Sequence, residues 1–249
     1  MKYYQHTKKF YESFKINQGE IHLTQSAAFA DYLRNLNGSS NQVFGYKSFV
    51  ERLFSDWYHP HTEVYLLSTI REYIYKNVPQ GKMAYFEKRI RDFYLSIRFL
   101  IEMVLLRLFQ IPDIQLNEEQ KFLITMLEQL RNDPVIVSYL QERANLTKGK
   151  IAEKCNIDTE IHTVCIHHFD YIDALRMMMF YLFEQIGLNV VFYIPFNPNA
   201  PDVYKTWREI YKWISGCDDS HWECVESSQP NRGTNFAQYL DKCFQNHLI

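Results

Sequence analysis

Glycine is scarce in this chain: eight residues in 249. The two closest, Gly38 and Gly45, are too far apart for a dinucleotide fingerprint (G-x-G-x-x-G), a Walker A loop (G-x-x-x-x-G-K-S/T) or a nucleophile elbow (G-x-S-x-G). None of these can be built. The nearest imitation, residues 144–151, contains Lys148-Gly149-Lys150 but lacks the first glycine and the hydroxyl that would hold magnesium. It reads as a capped helix boundary. C-x-x-C is absent as well. The five cysteines, Cys155, Cys165, Cys217, Cys224 and Cys243, read as reduced thiols of a cytoplasmic protein. No uncharged apolar run reaches the roughly 18 residues of a membrane span. Residues 1–6 have no apolar core, so no secretory signal is expected. A net charge of −2 gives no global field for nucleic acid or acidic lipid. After Asp202 no Asp/Glu-x-Lys triplet follows, since Glu209 and Lys212 are spaced too widely, and this excludes a restriction-type nuclease.

Apolar and aromatic residues are abundant. The hydrophobic share is 47%, with 18 Phe, 18 Tyr and 4 Trp, which excludes a disordered chain and calls for a large core. Residues 1–15 predict a short helix with Phe10 and Phe14 on one face. Residues 20–24 and 42–45 predict short strands on either side of a helix over 27–36 that Ser26 caps. Residues 46–57 are again helical. From 63 to 144 the spacing is helical throughout, with segments 63–76, 82–110, 117–131 and 133–144, the last carrying Pro134 in its first turn.

Beyond that block, 163–169 is a compact apolar run of the buried-strand type. A helix over 174–186 follows and stops at Gly187. Residues 189–194 form the clearest strand, 202–214 a helix, 221–225 a last strand and 234–247 a closing helix. Strands alternating with helices predict an α/β domain with a parallel sheet of about four or five strands. The α/β part takes residues 1–62 and 147–249, and 63–146 is an all-helical insertion.

Several side-chain groups stand out. His167, His168, Asp170 and Asp173 fall at a strand end, where α/β folds place ligand sites. A metal or nucleotide site there is one reading. Adjacent strand residues face opposite ways, however, so His167 and His168 do not readily share a metal. The simpler reading is a buried histidine, a loop-bonded histidine and an aspartate cap. Cys217, His221, Cys224, Cys243 and His247 have the chemistry of zinc ligands but the spacing of no common knuckle. Cys165 and His168 could pair as nucleophile and base, but an apolar run makes the thiol inert packing. Lys88, Arg91 and Arg98 recur near helical spacing among tyrosines. They could grip a nucleic-acid backbone or form a solvated face. Met178 and Phe180 lie on a helix that is apolar almost all round, and Trp207, Tyr211 and Trp213 lie on the next. Together they offer apolar area suited to a protein partner.

Two stretches carry a family resemblance. The first is Glu20-Ile21-His22-Leu23-Thr24-Gln25-Ser26 with Val43-Phe44-Gly45-Tyr46-Lys47. The second is Cys165-Ile166-His167-His168-Phe169-Asp170, followed by 190–195 and 199–204. Their order resembles the first motor domain of superfamily 1 helicases, most closely the helicase-like half of AddB/RexB-type recombination subunits. The resemblance covers about residues 20–60 and 160–215, and it implies a P-loop-helicase-like sheet with a helical insertion. Active members open with a strand and a Walker A loop, which is missing here. His167 stands where the family has its magnesium-holding aspartate, and His168 where it has Gly or Glu. Imidazole suits magnesium poorly. The implied protein is therefore a non-catalytic subunit with no cofactor. It would bind a protein partner, and could bind single-stranded DNA, in a bacterial DNA-processing or antiviral defence complex. A plain interaction module working through the helical insertion is the remaining alternative.

Overall fold

The computed structural model describes residues 1–5, 7–38, 41–105 and 115–225. The chain opens with β1 (Lys2–Tyr4), α1 (Thr7–Ser13), β2 (Glu20–Thr24), α2 (Ala27–Leu36), β3 (Val43–Gly45) and α3 (Tyr46–Leu53). A helical series follows: α4 (Ser55–Tyr58), α5 (Pro60–Asn77), α6 (Gln80–Lys88), α7 (Ile90–Leu100), α8 (Glu118–Leu130) and α9 (Pro134–Ala144). Next come α10 (Lys148–Cys155), β4 (Thr163–His167), α11 (Ala174–Gln185), β5 (Asn189–Pro195), α12 (Lys205–Ser215) and β6 (Glu223–Cys224).

All described strand pairs are parallel, in the order β3-β2-β4-β5-β1-β6. The sheet thus has six strands where four or five were expected. The addition is β1, in a stretch whose spacing suggested only a helix. Three residues are too few to show a period of two. Pairing makes β1 a strand: Lys2 is opposite Tyr193 on one side and Glu223 on the other. Gly19 sets the entry to β2. Its φ of +75° favours glycine, and a Cβ there would collide with the His162 ring and the Glu160 carbonyl. The expected closing helix over 234–247 lies outside the described residues.

The chain divides into two compact units, Met1–Val50 with Thr147–Ile249, and Glu51–Leu146. In the first, one face of the sheet meets α1 and α2. Tyr4, Val43, Cys165 and Tyr193 pack there with Phe10, Tyr11, Ala30 and Leu33. On the opposite face Phe44 meets Phe49 of α3 at 5.5 Å, and Phe192 meets Phe180 of α11 at 5.4 Å and Tyr211 of α12 at 5.8 Å.

The second unit is helical and begins at Glu51, ahead of the expected residue 63. Trp57 explains this: its ring stacks on Tyr139 at 4.3 Å, and its Nε1 donates to the buried Glu102 at 3.1 Å. The single helix expected over 82–110 is broken. Arg89, with φ −105° and ψ 12°, separates α6 from α7. A π-helical turn follows at Ile101–Leu105 and carries Glu102. No helix among the described residues is long and apolar enough to cross a membrane.

Candidate functional site

The register of β2 and β4 sets His22 opposite Cys165, and Thr24 opposite His167. Residues two apart on a strand share a face. Glu20, His22, Cys165 and His167 therefore come together on the face covered by α1 and α2. His22 and His167 have no solvent exposure. His22 Nδ1 lies 2.9 Å from His167 Nε2, and His167 Nδ1 lies 3.0 Å from the Tyr11 hydroxyl. Rings close the pocket. His167 stacks on Tyr193 at 4.9 Å, and Phe14 meets His22, His167 and Tyr193 edge-on.

At the outer end of this chain, Glu20 Oε2 stands 3.3 Å from His22 Nε2. The contact is an ion-pair approach and supplies Nε2 with no well-formed hydrogen bond. The Glu20 carboxylate accepts from the backbone N–H and the side-chain amide of Asn17, each at 3.1 Å. Partial burial pushes its pKa up, but His22 and Asn17 outweigh that and hold it at about 2. Burial, with His22 and His168 nearby, holds the His167 imidazole well below its ordinary value, so it is neutral. Burial, reinforced by the Glu20 carboxylate, pushes the Cys165 thiol up. Burial also raises the Tyr11 hydroxyl, with Tyr4 beside it.

This hydrogen-bonded chain admits two proton arrangements. In one, Tyr11 donates to His167, His167 to His22, and the remaining ring proton sits on His22 Nε2 facing Glu20. In the other every link is reversed, and His22 Nε2 presents a lone pair on the Glu20 side.

The residues grouped at the end of β4 separate in the structure. His167 turns into the core. His168, at φ +52°, sets its Nε2 3.3 Å from Asp170 Oδ1 and its ring edge-on to Phe29 of α2 at 6.4 Å. Asp173 caps α11 by accepting from Arg176 N at 2.8 Å. Thr147 caps α10 through Lys150 N, so the Lys148-Gly149-Lys150 stretch is a helix start.

Of the basic trio, Arg91 and Arg98 lie on α7 and both touch Tyr94, while Lys88 ends α6. Lys88 is exposed, whereas Arg91 pairs with Glu63 at 2.5 Å. Arg98 lies over the Tyr58 ring at 4.6 Å and donates to the Tyr94 hydroxyl at 2.8 Å. Of the five partner-facing candidates, Phe180 and Tyr211 are corrected: both are core residues, 3% and 2% exposed. Their rings fill the space between β5 and the helices, and the Tyr211 hydroxyl donates to the Phe169 carbonyl at 2.7 Å. Met178 and Trp207 are half-buried, and Trp213 is 72% exposed.

Among the described residues, Cys217, His221 and Cys224 make no metal-type cluster. Cys243 and His247 lie outside those residues. Sequence reasoning missed Glu20, His22 and Tyr11 as site residues and treated Cys165 as packing. The available signal was parity: Glu20 and His22 are two apart, as are Cys165 and His167. No family model, curated protein or solved structure matches the chain.

Proposed function

We propose that the chain is a non-catalytic, helicase-like subunit that scaffolds a protein partner. The observation that carries this reading is the short link after β1 together with the buried His167 at the end of β4. β1 ends at Tyr4 and α1 starts at Thr7, which leaves two residues where a G-x-x-x-x-G-K-S/T loop would have to fit. At the end of β4, His167, which the resemblance aligns with the magnesium-holding aspartate, is held in the core by His22, Tyr11 and Tyr193. One feature favours descent from a motor fold over an unrelated sheet. His168 has a left-handed backbone, which favours glycine, one of the residues the family carries there.

Exposed rings supply the partner surface. Tyr171, Tyr181 and Trp213 are 60%, 54% and 72% exposed, all within the α/β unit. Rings of this kind anchor interfaces. Nucleic acid is less well served, because Lys82, Arg89 and Arg91 of the helical unit are paired with Glu118, Glu119 and Glu63. The test is co-expression with the products of neighbouring genes. A stable complex whose ATP hydrolysis resides wholly in another subunit supports the reading. ATP turnover by this chain alone overturns it.

A further inference from the structure

The geometry points to a binding site for one zinc ion, or a similar borderline divalent transition metal, formed by Glu20, His22 and Cys165. The three ligand atoms lie within 4.8 Å of one another, and the Glu20–His22 pair is already at 3.3 Å. Tetrahedral zinc with bonds of roughly 2.0–2.3 Å spaces its ligands about 3.5 Å apart. One carboxylate oxygen, one imidazole nitrogen and one sulfur suit zinc rather than magnesium or calcium, which take oxygen.

An independent observation points to a ligand. His22 Nε2 is fully buried, stands 3.3 Å from the Glu20 carboxylate and forms no hydrogen bond. Coordination would give this nitrogen the directional partner that the core does not supply. The second ring nitrogen of His22 is held as zinc-binding histidines require, 2.9 Å from His167 Nε2, with Tyr11 behind. Glu20 is oriented by the two Asn17 donors.

Charge also balances. A dication with one carboxylate and one thiolate is neutral, which a buried site tolerates. On binding, the Cys165 S–H bond gives way to S–Zn and the proton leaves to water. The His22 ring proton sits on Nδ1 and is donated to His167 Nε2. His167 in turn donates from Nδ1 to the Tyr11 oxygen. The Glu20 side chain keeps 15% of its exposure, so water can enter from that side and fill the fourth position.

This inference does not depend on the motor-fold reading. The test strips the chain with a chelator and titrates it with Co²⁺, then Zn²⁺. One cobalt per chain is expected, with a thiolate-to-cobalt charge-transfer band that zinc abolishes. Cys165→Ser is expected to lose the band, while Cys217→Ser with Cys224→Ser retains it. Glu20→Gln, a change at a partly exposed position, is expected to keep the fold, as checked by circular dichroism. It is expected to weaken binding by more than the roughly 10–100-fold that loss of an outer-shell partner costs. Substoichiometric metal in the wild type, a band that survives Cys165→Ser, or equal affinity in Glu20→Gln would each overturn the site. Should Cys165→Ser not fold, the Glu20→Gln comparison decides alone.

Discussion

His22 and His167 sit on adjacent parallel strands, neither exposed to solvent, with Nδ1 of the first 2.9 Å from Nε2 of the second. Parallel sheets are usually filled by branched apolar residues at such positions. Here the imidazoles are hydrogen-bonded to each other and to Tyr11, while Phe14 and Tyr193 pack against them. The polar atoms are mostly satisfied, so the pair fixes the register of β2 against β4 instead of loosening the core.

His167→Ala removes a packed ring and leaves His22 Nδ1 and the Tyr11 hydroxyl without their partner. The expected loss is about 3–5 kcal/mol, measured by urea denaturation. A loss below about 1 kcal/mol would show that the network contributes little.

Stability should fall on mild acidification when a chelator is present. The folded His167 is held below the ordinary 6.5, mainly by burial. Unfolding therefore takes up a proton below about pH 6.5 that the folded state refuses. The contribution is complete above that pH and declines below it, by up to about 1.4 kcal/mol per pH unit. Glu20, held at about 2, adds a further loss between its unfolded value of 4.5 and about 2. Denaturation midpoints at pH 7, 6 and 5 test the first effect, and His167→Phe should show a shallower slope than wild type.

Arg98 and Lys88 separate a structural role from a nucleic-acid role. The Arg98 guanidinium covers Trp57 at 5.2 Å and Tyr58 at 4.6 Å. Arg98→Ala is expected to destabilise the helical unit by about 2 kcal/mol, and Lys88→Ala by no more than about 0.5 kcal/mol. Neither should alter the binding of a fluorescent single-stranded oligonucleotide. Loss of such binding in Lys88→Ala, with stability unchanged, would restore the basic face as a contact surface.

Trp213 and Tyr211 separate surface from core on a single helix. Trp213→Asp should leave the melting temperature unchanged and weaken a partner complex at least about tenfold. Tyr211→Phe loses the hydrogen bond to the Phe169 carbonyl, so it should cost about 1 kcal/mol and leave the complex intact. Calorimetry and surface plasmon resonance read the two quantities separately.

Much of the fold was legible from period and punctuation. Ser26, Asn117, Asp133 and Asp173 all cap helices at the expected boundaries. Long strands with strong apolar runs, such as β4 and β5, also showed plainly. β1 did not, because three residues carry no periodicity and only the pairing with β5 and β6 defines the strand. The site was hidden for a related reason. Parity put Glu20 with His22, and Cys165 with His167, but nothing local says that β2 lies beside β4 across the 145 positions separating the histidines. The grouping of His167 with His168, Asp170 and Asp173 followed sequence proximity, which a strand end disperses. Phe180 and Tyr211 looked like surplus apolar area because the depth of the opposite face could not be judged without β5 in place.

The proposed function is that of a degenerate motor fold without a nucleotide site. Isothermal titration of the purified chain with ATP and Mg²⁺ tests it most directly. The expected result is no saturable heat at millimolar nucleotide and no phosphate release. Saturable ATP binding that His168→Ala or Asp170→Ala abolishes would contradict the claim and return the strand ends to use as a nucleotide site.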